Sequence, residues 1–201
     1  MTMHRMSAQD VLGDWRSRPR ERAMQLIEKY GQPDEVCQNS LKWHNKGPWK
    51  RIVLRNEEIQ HNFPRPHGDF LEEVIDYRVP LERLSDLGRF DGSVLVDRTK
   101  GEMSARCDQE MANLLALNLA HDIATGRRSV EDARNEYAMQ IMSAMMGQQA
   151  PYTERLHFSM PAGTADPDET TISETLMNKV KEKTGMTIER IKQMLGMGKA
   201  A

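Results

Sequence analysis

Residues 61–69 read His-Asn-Phe-Pro-Arg-Pro-His-Gly-Asp, placing two imidazoles and a carboxylate within nine residues on a segment stiffened by Pro64 and Pro66. Imidazole is the commonest transition-metal ligand and ionises near neutral pH, which suits it to metal binding or proton transfer. A divalent metal on His61, His67 and Asp69 is the one cofactor these residues suggest; otherwise none is expected. Such a site needs three or four donors to converge. His44 and the His121-Asp122 pair are the further candidates. The same residues also fit a structural loop whose imidazoles bond to backbone groups.

A second group combines aromatic and basic side chains: Trp43, Trp49, Phe63 and Tyr77 with Lys42, Lys46, Lys50, Arg51, Arg55 and Arg65. Bases stack on tryptophan beside cations in single-stranded nucleic-acid binding, and the same surface would take a small anion or an acidic peptide. The chain as a whole is slightly acidic, with 28 basic and 30 acidic residues, and hairpin tryptophans usually pack in cores, so nucleic acid is not the favoured partner. Cys107, beside Arg106 and ahead of a helix start, is the candidate reactive thiol, although it also continues a strand pattern. Walker, Gly-x-Gly-x-x-Gly, nucleophile-elbow, His-Glu-x-x-His and EF-hand patterns are all missing from the sequence, which disfavours the commonest enzyme classes.

The elements that would position these residues follow from pattern. A helical arm opens at Ser7 with the capping box Ser7-Ala-Gln-Asp10, is interrupted near Pro19, and resumes to Lys29 before Gly31. Residues 40–45 and 49–55 around Lys46-Gly47-Pro48 predict a β-hairpin, as do 93–98 and 102–107 around Thr99-Lys-Gly101. Residues 70–79 fit helix or strand equally. Leu81, Leu84 and Leu87 predict a short helix ending at Gly88. Asp108 is the expected cap of an amphipathic helix carrying Met111, Leu114, Leu115, Leu119 and Ile123, and Ser129 of another reaching Gly147. Two short amphipathic helices flank Gly185. A helix, turn and hairpin at 20–55 recur at 81–107, which would put four strands in one antiparallel sheet with helices on one face.

These elements imply an N-terminal arm over 1–19, an α+β body over 20–147, a linker over 148–170 and a C-terminal helical pair over 171–201. From residue 171 onward six basic face three acidic side chains, a sign that suits phosphates, while the helical outline fits packing or self-association. Nine of the 15 methionines lie after residue 138, and methionine suits adaptable contact surfaces. Cys37 and Cys107, 70 positions apart, read as two buried free thiols. The longest apolar run, at 111–120, is broken by Asn113 and Asn118 and is too short for a membrane span, and residues 1–6 lack a signal-peptide core, so a cytoplasmic form is expected.

The segments Lys29-Tyr-Gly-Gln-Pro-Asp-Glu35, Trp43-His-Asn-Lys-Gly-Pro-Trp-Lys-Arg51, His61 to Asp69 and Asp91-Gly-Ser-Val-Leu-Val-Asp-Arg98 resemble a family of uncharacterised bacterial proteins over residues 20–158. That resemblance implies no catalytic residues. The helix, Gly31-Gln-Pro-Asp34 turn and Trp-bearing hairpin are also similar to the helix-hairpin unit of the SmpA/OmlA lipoproteins, without their lipidated cysteine.

Taken together, the residues favour an α+β protein with an antiparallel sheet of two hairpins packed against helices and a helical tail. Its expected role is non-enzymatic binding of a protein or small anionic ligand. The candidate contact surface is Trp43, His44, Trp49, Lys50, Arg51, His61, Arg65, His67 and Asp69. The alternatives are a metal-assisted or acid/base enzyme on His61, His67 and Asp69, and nucleic-acid binding through the basic hairpin and tail.

Overall fold

The computed structural model describes residues 6–197; residues 1–5 and Lys199, read above for a signal sequence and for tail charge, lie outside the described residues. The chain divides into two compact units, Met1–Asp166 and Pro167–Ala201.

The first unit is built on six strands: β1 (Glu35–Cys37), β2 (Ser40–Lys46), β3 (Trp49–His61), β4 (His67–Asp76), β5 (Val94–Asp97) and β6 (Glu102–Cys107). They form one antiparallel sheet in the order β1-β2-β3-β4-β6-β5. The two expected hairpins are present, but they do not pair with each other. The undecided segment becomes β4 and lies between them, where Phe70, Leu71, Val74 and Ile75 are all buried. Period-two alternation assigns Leu41, Trp43, Ile52, Leu54, Leu71, Ile75, Met103 and Ala105 to one face by register, and all eight are at most 1% exposed. The opposite face carries cross-strand ion pairs, Arg55 with Glu72 at 2.9 Å and Arg51 with Glu102 at 2.8 Å.

Helices cover the apolar face. The order is α1 (Ala8–Leu12), α2 (Ser17–Tyr30), α3 (Leu84–Phe90), α4 (Glu110–Ala124) and α5 (Val130–Met145). The N-terminal segment is not a separate arm, because Ala8, Val11, Leu12 and Trp15 are part of the core. The helix break falls at residues 13–16 rather than at Pro19, which sits in the first turn of α2, where its missing N–H costs nothing. α3 runs two residues past Gly88, and α4 starts after Gln109 rather than Asp108.

Helix α4 is not amphipathic but central. Twelve of its fifteen residues are buried, including Asn113, Asn118 and Asp122, so each polar group needs a partner. Asn118 donates to the carbonyls of Tyr152 and Arg155 at 3.1 and 2.7 Å and accepts from the His157 N–H at 2.7 Å. Residues 150–158 therefore pack against the body, and the stretch expected as a linker over 148–170 belongs to the first unit as far as Asp166. The residues just before Asp166 lie against Gly101, where an added Cβ would come within 2.2 Å of the Thr164 backbone and φ is +67°; only glycine fits.

Ser129 caps α5 by accepting from the Asp132 N–H at 3.1 Å. Ser129→Ala should lower stability by about 1 kcal/mol, read from the urea midpoint at unchanged slope.

The second unit holds α6 (Glu174–Thr184) and α7 (Ile188–Met194), capped by Ser173 and Thr187 and joined through left-handed Gly185, with Met177 and Ile191 buried. Among the described residues no helix is long and apolar enough to cross a membrane.

Candidate metal centre

The alternation that buries Leu71 and Ile75 continues along β4 to Asp69 and His67, which point to the same side of the sheet. His61 is the register partner of His67, so the two imidazoles face each other across the end of the β3–β4 hairpin, with ring centroids 5.0 Å apart. Residues 62–66, with their two prolines, form its turn. Cys107 ends β6 on the same face, opposite Leu71. The turn between α3 and β5 supplies Asp91 and Ser93.

His67 donates from Nδ1 to the Arg65 carbonyl at 2.8 Å, which leaves Nε2 facing Asp69 Oδ1 at 3.1 Å and Cys107 Sγ at 3.4 Å. His61 Nδ1 lies 3.4 Å from Asp69 Oδ2, and its Nε2 lies 3.4 Å from Asp91 Oδ1. Asp69 Oδ2 accepts a short hydrogen bond from the Ser93 hydroxyl, and Asp91 Oδ1 accepts from the Ser93 N–H at 2.7 Å. Asp69 and Asp91 are only 2% and 5% exposed.

Two buried atoms in this cluster, His61 Nδ1 and Asp69 Oδ1, have no hydrogen-bond partner among the described residues. The Asp69 Oδ1 contact with His67 has an ion pair's distance without a hydrogen bond's direction. One donor atom from each of His61, His67 and Asp69 lies within 4.8 Å of the others. With bonds of about 2.0–2.2 Å, neighbouring donors around a single ion sit about 3.0–3.5 Å apart, and the 3.1 Å between His67 Nε2 and Asp69 Oδ1 matches that spacing. The outer contacts fit as well, because each ring's other nitrogen is held, by Asp91 in one case and by the Arg65 carbonyl in the other.

The protonation states reflect the crowding. The Asp69 carboxylate, and after it the Cys107 thiol, push His67 up to about 11. Burial acts to raise Asp69, but the contacts with His67 and Ser93 outweigh it and hold the carboxyl below its ordinary value. Burial raises Asp91. It also raises the Cys107 thiol, so Cys107 is not the low-pKa nucleophile that its neighbour Arg106 suggested. Both cysteines are free, and Cys37 is exposed rather than buried.

Beside the cluster opens a cavity of about 290 Å³. His67, Cys107 and Tyr137 line it together with the apolar side chains of Met111, Ile141 and Met145.

The other candidates do not join this site. Trp43 and Trp49 are at most 1% exposed, with their indole N–H groups donating to the Gly31 carbonyl and to Glu110, so they form core and not a contact surface. Lys50 pairs with Asp76 at 2.6 Å, Arg51 with Glu102, and Lys42 with Glu35 at 2.8 Å, which neutralises the basic hairpin. His44 contacts Glu35 at 2.8 Å. His121 accepts or donates at Nδ1 with the Tyr77 hydroxyl at 2.7 Å and stacks on Phe158. Arg65 lines the cavity. Asp91 and Ser93 carried no signal beyond an Asp-Gly turn, and Cys107 was read as a candidate thiol but not as a neighbour of His67.

Compared with known proteins, the chain matches no family model, no curated protein and no solved structure.

Proposed function

We propose that this protein binds one divalent first-row transition-metal ion through His61 Nδ1, His67 Nε2 and Asp69 Oδ1, and presents it to a small ligand in the adjoining cavity. The observation that carries this reading is the pair of buried donor atoms without hydrogen-bond partners, one on His61 and one on Asp69, in a cluster where one donor atom from each of His61, His67 and Asp69 lies within 4.8 Å of the others. Leaving a buried polar atom unpaired costs about 1–3 kcal/mol, and an ion shared among the three would satisfy both. Two imidazoles and one carboxylate suit Zn²⁺, Fe²⁺ or a similar ion, and three protein ligands leave positions open, as in catalytic rather than structural sites. When bound, the ion would act as a Lewis acid towards whatever enters the cavity.

The chain's own groups prepare the site. Ser93 fixes the Asp69 carboxylate through Oδ2 and leaves Oδ1 free, while the Arg65 carbonyl fixes the His67 ring at Nδ1 and Asp91 lies 3.4 Å from His61 Nε2, so that each ring turns its other nitrogen towards Asp69. Metal binding displaces the proton that His67 carries at Nε2, and so releases acid.

Calorimetric titration of metal-free protein with Zn²⁺ should give one site per chain with proton release. Asp91→Asn should weaken that site about 10- to 100-fold, the range for partners that only orient a ligand. Absence of zinc uptake by correctly folded wild-type protein would reject the reading.

A further inference from the structure

Building on the metal reading, we infer that the cavity ligand is a small carboxylate with a short hydrocarbon tail, its head between the metal position and Arg65 and its tail between α4 and α5. Several features of the cavity favour an anion at one end. His67, the ligand residue that faces the cavity, marks where the ion's charge would be felt. Arg65 lines the same cavity, and its guanidinium has no ion pair or side-chain hydrogen bond among the described residues, whereas the hairpin cations Lys50, Arg51 and Arg55 are each paired with a carboxylate. The N-terminus of α4 also lines it through Gln109, Met111 and Ala112, and no side chain caps that terminus. The N–H groups of that first turn carry partial positive charge, although the Ala112 N–H already bonds the Gln109 carbonyl at 3.2 Å.

The far wall sets the rest of the ligand. Met111, Ala112, Ile141, Ala144 and Met145 are apolar, and methionine adapts to the shape of a flexible chain. A volume of about 290 Å³ falls at the small end of the range for small-molecule pockets. Asp108 also lines the cavity; Arg18 pairs with it at 2.7 Å. That remaining carboxylate favours a monoanion over a doubly charged phosphate.

The test uses hexanoate, with hexanol as the uncharged control, titrated into zinc-loaded and metal-free full-length protein after zinc content has been measured. Hexanoate should bind the zinc-loaded chain at least about tenfold more tightly than hexanol, a margin set by one charge-assisted hydrogen bond. Arg65→Ala, which keeps the backbone carbonyl that holds His67, should remove about tenfold of hexanoate affinity while zinc still binds at one per chain. Ala144→Trp, which fills the apolar end, should abolish hexanoate binding while zinc still binds. Zinc bound at one per chain with hexanoate no tighter than hexanol overturns the carboxylate and leaves the metal reading standing. Failure of zinc to bind, with an Arg65-dependent preference for hexanoate intact, overturns the metal reading and supports the anion pocket.

Discussion

Zinc at a thousand times its dissociation constant should raise the unfolding free energy of the wild-type chain by about 4.1 kcal/mol, and His67→Ala should show none of that rise. The ion gains its stabilising effect only from binding the folded state, and the folded state offers three converging donors that the unfolded chain cannot hold together. Removing His67 leaves one imidazole and one carboxylate, and it also takes away the cation nearest Asp69, whose contact at 3.1 Å is the shortest between imidazole and carboxylate in the cluster. His44→Ala is the control. That imidazole is on β2 against Glu35 and shares no contact with the cluster among the described residues, so the full rise should persist. Urea unfolding in zinc and in EDTA measures both. An equal rise in His67→Ala and wild type would show that zinc binds elsewhere.

The convergence behind that result was half legible in the sequence. The nine-residue spacing from His61 to Asp69, with two prolines between, already confined three donors to a short stiff segment. A short strand over 57–62, holding His61, was readable as a possibility; what could not be read was that it continues β3 and that His67 opens the following strand. The period-two pattern of β4 runs into polar residues at that end, so the segment looked like an irregular loop rather than a hairpin whose inner face turns from apolar to chemical. Asp91, Ser93 and Cys107 come from distant parts of the chain, and only the sheet order, with β4 between β3 and β6, brings them together. The tryptophans misled for a related reason: alternation in β2 gave Trp43 a face but not the identity of that face, and the face is the core. The same applies to α4, where Asn113 and Asn118 looked like breaks in an apolar stripe but are buried polar anchors for β4 and for residues 152–157.

Asn113 also leads to the second large effect. Its side-chain amide donates at 2.9 Å to Glu73 Oε2, while Glu73 Oε1 has no partner among the described residues, and the carboxyl is fully buried on the inner face of the sheet. Burial, then the charge of Glu110, pushes Glu73 up to about 8, against the smaller opposing influence of Asn113, Lys29 and Arg22. A folded-state pKa above the unfolded value means that the native chain holds a proton the unfolded chain has released. The resulting stability is fully present below about pH 4.5 and is lost as the pH climbs through about 8. The loss approaches about 1.4 kcal/mol per pH unit inside that window. Glu73→Gln keeps an oxygen for Asn113 and carries no charge, so it should match the wild type near pH 5 and exceed it near pH 8, by an amount on the order of 3–4 kcal/mol. Denaturation of both proteins in EDTA across this range isolates Glu73, because the groups of the metal centre titrate alike in the two and cancel in the difference. A difference that stays flat with pH would mean that the carboxyl ionises freely, and that the sheet and α4 open enough to hydrate it.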